Sequence, residues 1–118
     1  MRDLDVGLLP VCGDNDRLVG MISDRDIIVR GVANGQDPGL TRVRQCMTPE
    51  VVYCFDDQDI SEAARLMRDR QIRRLVVLDR YTLLVGILSL GDLAIVCGDA
   101  ELAGDVLEGV SEPAMPIA

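Results

Sequence analysis

The sequence predicts an α+β fold built from one complete β-α-β-β-α unit and an incomplete copy of it, and three observations carry that prediction. The chain repeats itself without gaps at an offset of 66 residues. Short apolar runs alternate with turn residues, and apolar side chains recur at helical spacing between them. A chain of 118 residues is long enough to bury a real core.

The repeat is read from identities. Met1, Arg2 and Asp3 match Met67, Arg68 and Asp69, while Leu9 and Val11 match Leu75 and Val77. Leu18, Val19 and Gly20 match Leu84, Val85 and Gly86, and Ser23 with Asp26 matches Ser89 with Asp92. These make ten identities within residues 1–26, too many for chance.

Each copy reads alike. Residues 8–12 and 74–78 are short apolar strands, followed by hairpin turns at Gly13, Asp14, Asn15, Asp16 and at Asp79, Arg80, Tyr81, Thr82. Second strands over residues 18–22 and 83–88 feed helices that begin at Ser23 and Ser89. In the later helix Leu90, Leu93, Ala94 and Cys97 form an apolar stripe. The second copy also has a front half. Residues 41–47 suggest a helical lead-in, 51–54 a strand and 59–71 a helix. That helix opens with Asp59 and Glu62 in a capping-box pattern and carries Ile60, Ala63, Ala64 and Met67 on one face. Residues 99–110 read as a final amphipathic helix with Leu102, Ala103, Val106, Leu107 and Val110 on one side, and 111–118, with two Pro, as a loose tail.

The expected organisation is therefore a partial first repeat at 1–36, a linker and lead-in helix at 37–46, a complete second repeat with its C-terminal helix at 47–110, and a tail at 111–118. Met1 aligns with Met67 inside a helix, so about 20 residues of strand and helix lack a counterpart in the first copy. Such a gap leaves a sheet edge and an apolar face uncovered. A start placed at an internal Met, or a truncated chain, is expected ahead of a partner chain that supplies the missing pieces.

Composition excludes several classes of function. With 20 acidic against 12 basic residues the net charge is −8, which repels phosphate backbones and argues against a nucleic-acid partner. Every basic residue is Arg, which fits the codon usage of a GC-rich genome. The absence of His excludes a His base, a His-containing triad and a His–metal site. Cys12, Cys46, Cys54 and Cys97 show no C-x-x-C spacing and read as buried apolar thiols in a reducing cytosol, with a disulfide between strand ends as the minority alternative. The charged N-terminus is unlike a signal peptide, and Gly86, Gly91 and Asp92 interrupt the longest apolar stretch, so no membrane partner and a cytoplasmic location are expected.

Gly20, Met21, Ile22, Ser23, Asp24, Arg25 and Asp26 form a Gly, apolar, apolar, Ser-x-x-Asp pattern that recurs from Gly86 to Asp92. Met47, Thr48 and Pro49 precede the predicted strand of the second copy, and Ile72, Arg73, Arg74, Leu75, Val76 and Val77 follow its helix. In this order and spacing the chain resembles a tandem CBS-domain pair, or Bateman module. It is most similar to stand-alone two-CBS proteins of the hypoxic-response type from actinobacteria, with the first CBS unit truncated at its start.

The resemblance implies that two CBS units pack through their sheets and leave clefts that hold adenine nucleotides. It also implies a homodimer, no required cofactor and no catalysis. Carried onto this chain, Ser23 and Ser89 face phosphate, Asp26 and Asp92 accept from ribose hydroxyls, Thr48 and Val52 border adenine, and Arg74 reaches phosphate. A hydroxyl at a helix start, beside free backbone N–H groups, suits an anion. Ser-x-x-Asp is equally the pattern of ordinary helix capping. Arg65, Arg68, Arg70 and Arg73 read as a solvated face, whereas Arg74 earns a ligand role. Gly7 and Leu8 stand where the second copy has Arg73 and Arg74, which favours the second site.

The function expected is a regulatory module that senses an adenine nucleotide (AMP, ADP or ATP) in the cleft between CBS repeats. It would signal by conformational change or dimerisation to a protein partner not identifiable from sequence. The net charge favours AMP over the more highly charged ATP. The alternative is a ligand-free CBS scaffold serving protein contacts in a stress response. An enzyme ranks third, since Asp24 and Asp26 do not share a helix face and no metal site is visible.

Overall fold

Both hairpins expected from the repeat form in the computed structural model, which describes residues 1–95 and 98–113. Cys97, at the end of the predicted stripe, and residues 114–118 of the predicted tail lie outside the described residues. The chain divides into two units, Met1–Val52 with Thr82–Leu84, and Tyr53–Tyr81 with Val85–Ala118.

In the first unit β1 (Leu8–Cys12) pairs antiparallel with β2 (Leu18–Ser23), with Leu9 opposite Ile22 and a register shift between Val11 and Cys12. The reversal between them needs left-handed backbone at Asn15 (φ 63°) and Asp16 (φ 57°), whose short polar side chains tolerate it. From Asp24 to Asn34 the backbone is helical but changes pitch twice. It is α-helical over α1 (Asp24–Asp26), π-helical over Ile27–Gly31 and 3₁₀ over Val32–Asn34, and Gly35 ends the run at φ 75°. The lead-in helix α2 (Val43–Cys46) packs on this run, where Gly31 is buried and a Cβ would stand 3.4 Å from Cys46 Sγ. The Arg30 guanidinium donates to the carbonyls of Cys46 and Met47, at 3.4 and 3.0 Å, and closes α2 down.

Thr48 then pairs antiparallel with Met21, through N–H···O bonds of 3.0 and 2.8 Å. Residues 47–52, which the repeat alignment grouped with the second copy, thus stand in the first unit. Gly20 is required here, because a Cβ would lie 2.8 Å from both the Thr48 carbonyl oxygen and Met47 Sδ.

In the second unit the sheet order is β3-β4-β5, with β3 (Tyr53–Phe55), β4 (Arg74–Leu78) and β5 (Leu84–Ser89). β3 lies parallel to β4, Cys54 opposite Val77, joined by α3 (Ile60–Arg70) as a β-α-β unit requires. β3 starts two residues later than its apolar run suggested, because Thr48 is drawn off to Met21 first. Asp59 caps α3 by accepting from the Ser61 N–H at 3.0 Å. The predicted reciprocal box with Glu62 does not form; Gln58 Nε2 takes the Glu62 carboxylate at 3.2 Å instead.

α3 and α4 (Leu90–Ala94) pack against α5 (Ala100–Ser111). The core of this unit joins Ala63, Ala64 and Met67 of α3 to Leu75, Val76 and Leu78 of β4, with Leu93, Ala103 and Val106. Only Ile22 and Cys46 of the first unit are buried apolar residues, so the packed core belongs to the second. One predicted core position of α5 is corrected. Leu107 is 47% exposed, and Gly109 is buried in its stead, close against the Arg68 side chain. Cys46 and Cys54 are buried free thiols, and burial raises the Cys54 thiol above its ordinary pKa. Cys12, expected inside, is exposed at the end of β1. No helix of the described residues is long and apolar enough to cross a membrane.

Candidate functional site

Arg73 and Arg74 stand where the chain enters β4. The Leu90 N–H donates to the Arg73 carbonyl at 2.9 Å, which brings the arginine pair to the start of α4. There the Ser89 N–H donates to Asp92 Oδ2 at 2.7 Å and the Asp92 N–H donates to Ser89 Oγ at 3.1 Å, a reciprocal capping box. The expectation of several free N–H groups at this helix start is corrected: among the described residues only the Gly91 N–H is without a partner in the first turn. Local satisfaction goes further in the first copy. Ser23 and Asp26 form the same box at 2.9 and 3.0 Å, the Asp24 N–H donates to the Gly7 carbonyl at 2.8 Å, and the Arg25 N–H donates to Asp24 Oδ1 at 2.8 Å.

In the second unit an open cavity of about 720 Å³ is lined by Arg73, Arg74, Ser89, Leu90 and Gly91, with Ala94, Ala100, Ala103, Gly104 and Leu107 as its wall. That volume lies in the range of ligand sites. Neither guanidinium forms an ion pair among the described residues, and both residues are exposed. Two cations, a hydroxyl and an N–H beside a wall of small apolar residues can receive an anion carrying an apolar body.

Of the predicted residues, Arg74 and Ser89 share this cavity. Asp92 is half-buried, its carboxylate accepting from the N–H of the N-cap Ser89. Thr48 and Val52 are half-buried in the first unit, Thr48 held by Met21, and Ser23 with Asp26 caps α1. Arg73 was assigned to a solvated face, yet it lines the cavity beside Arg74. Its signal was present in the repeat, where the first copy has Gly7. The first unit has a separate cavity of about 270 Å³, walled by Ile22, Ile27, Gly31, Val43 and Cys46, which includes none of the predicted site residues.

Paired capping boxes 66 residues apart, each following a hairpin, define a duplicated unit whose class the comparisons identify. The chain belongs to the CBS domain family, whose model matches residues 1–32 and 43–98, and its fold is that of a tandem CBS pair. It is similar to hypoxic response protein 1 of Mycobacterium tuberculosis, at 39% identity over 94 residues. The match covers 80% of this chain and 65% of that protein, slightly under two thirds of the relative's length. The CBS domain-containing protein YhcV of Bacillus subtilis is 40% identical over 111 residues, 94% of this chain and 77% of that protein.

Among solved structures, hypoxic response protein I with two coordinated zinc ions gives a TM-score of 0.71 at 39% identity, over 80% of this chain and 75% of that one. Among the described residues here, no three His, Cys, Asp or Glu side chains are grouped to hold a metal ion. The cytosolic domain of the magnesium channel MgtE, solved with ATP, gives 0.65 at 40% identity, over 77% of this chain and 34% of that one. A CBS domain pair solved with 5′-methylthioadenosine and S-adenosyl-L-methionine gives 0.68 at 25% identity, over 82% and 77%.

Proposed function

We propose that this chain is a regulatory module, not an enzyme, that binds an adenine nucleotide through its second CBS unit. Binding is relayed as a change in conformation or in dimerisation. One observation carries the reading: Arg73, Arg74, Ser89 and Gly91 line a single cavity whose wall is apolar. Guanidinium groups are suited to phosphate oxygens, and the apolar wall leaves room for a flat base. The Asp92 oxygen that Ser89 does not use is free to accept from a ribose hydroxyl. Thr48, Val52, Ser23 and Asp26 stand in the first unit and stay as candidate contacts there for a ligand group other than phosphate. The ligands of the two related structures share an adenosine group, which supports the adenine part of the reading. A net charge of −8 favours AMP over nucleotides of higher charge.

Isothermal titration calorimetry with AMP, ADP, ATP and S-adenosylmethionine tests this, on the natural chain and on the Arg73→Ala/Arg74→Ala double variant. AMP binding that the double variant loses supports the reading. No binding of any of the four by a folded protein overturns it, and leaves a ligand-free CBS scaffold used for protein contacts. Asp92→Ala is the poorer variant, because it also removes one half of the capping box of α4.

A further inference from the structure

The two copies share a backbone frame and differ in charge at the point where the second copy faces its cavity. The Asp24 N–H donates to the Gly7 carbonyl at 2.8 Å and the Leu90 N–H to the Arg73 carbonyl at 2.9 Å, the same bond 66 residues apart. Around it the first copy has Gly7, Leu8, Asp24 and Arg25, with formal charges that cancel. The second has Arg73, Arg74, Leu90 and Gly91, with a formal charge of +2.

The Asp24 carboxylate is folded back over this frame. Its Oδ1 accepts from the Arg25 N–H at 2.8 Å, and its Oδ2 lies so near Gly7 that a Cβ there would be 2.8 Å away. In the second copy the corresponding N–H, of Gly91, has no partner among the described residues, and Gly91 lines the cavity together with Arg73 and Arg74. We infer that Asp24 is an internal anion, set where the second unit receives a ligand phosphate. The chain therefore takes up one phosphate-bearing ligand, in the second unit, and the first unit excludes phosphate. The inference rests on the nucleotide-binding reading above and adds the residue that decides which copy binds.

The test moves the acid into the second copy. Leu90→Asp reproduces the arrangement of Asp24, and Leu90→Asn has the same shape without the charge. By calorimetry with AMP, the natural chain takes one equivalent, and Leu90→Asp binds at least about tenfold more weakly than Leu90→Asn, since a unit charge at contact distance acts strongly near a protein surface. Equal affinity of the two variants, or two AMP per natural chain, overturns the inference and leaves the nucleotide reading standing. No binding of AMP, ADP, ATP or S-adenosylmethionine by the natural chain overturns both. Circular dichroism of each variant shows that the comparison is made between folded proteins.

Discussion

The Leu90 N–H donates to the Arg73 carbonyl oxygen at 2.9 Å, and this one bond sets the arginine pair beside Ser89. It spans seventeen positions of sequence, from the entry of β4 to the start of α4. The arrangement places positive charge and hydrogen-bond donors at a cavity in a protein that is otherwise strongly acidic.

Arg73→Ala and Arg74→Ala are each expected to weaken AMP binding by about tenfold or more, the worth of a charge-assisted hydrogen bond. Both residues are exposed and outside any described ion pair, so unfolding free energy should move by less than about 0.5 kcal/mol. The affinity of the natural chain should fall as salt rises. Salt-independent affinity, measured by calorimetry at low and high ionic strength, would count against phosphate recognition by these side chains.

The capping boxes have a structural cost if broken. Ser23→Ala and Ser89→Ala each remove a side-chain acceptor for the N–H of the third helical residue. Each should lower stability by about 1 kcal/mol in urea denaturation. Unchanged midpoints would show that the two boxes are ornamental.

Gly20 and Gly86 are equivalent in the repeat yet should respond in opposite ways. A Cβ at Gly20 meets the Thr48 carbonyl oxygen at 2.8 Å, whereas nothing described lies within 4 Å of one at Gly86. Gly20→Ala is expected to cost about 1–3 kcal/mol by overpacking. Gly86→Ala should be neutral or stabilising by a few tenths of a kcal/mol, through a less flexible unfolded chain. Equal thermal midpoints for the two variants would refute the close approach of Thr48 to β2.

Thiol labelling separates the cysteines. Cys12 is exposed, Cys46 is buried, and Cys54 is buried with its thiol pKa raised. Under native conditions iodoacetamide should therefore modify Cys12 first among these three, as read by mass spectrometry of timed digests. Early labelling of Cys54 would show that β3 opens readily.

Much of this fold was legible because the chain is duplicated. The bounds of β1 and β4 match their apolar runs, and α3 follows from the spacing of Ala63, Ala64 and Met67. What local pattern misjudged depends on long-range pairing. Thr48 joins Met21 rather than opening β3, and Glu62 meets Gln58 rather than completing a box. Leu107 was read as inward from its spacing, but Gly109 fits where Arg68 crowds α5. At the site, Ser89 and Arg74 were visible as motif residues. Arg73 was passed over, although the repeat marked it by Gly7 in the first copy, because its place beside α4 depends on a backbone bond to Leu90 that no local period encodes. The reach of Asp24 over Gly7 is likewise a fact of three dimensions.

The most direct test of the central claim is a two-dimensional ¹⁵N–¹H NMR titration of the full chain with AMP. The account predicts saturable shifts centred on the amides of Arg73, Arg74, Ser89 and Gly91, with the amides of Ser23, Asp24 and Arg25 little changed. Shifts centred on residues 23–25, or none at millimolar AMP, would contradict it.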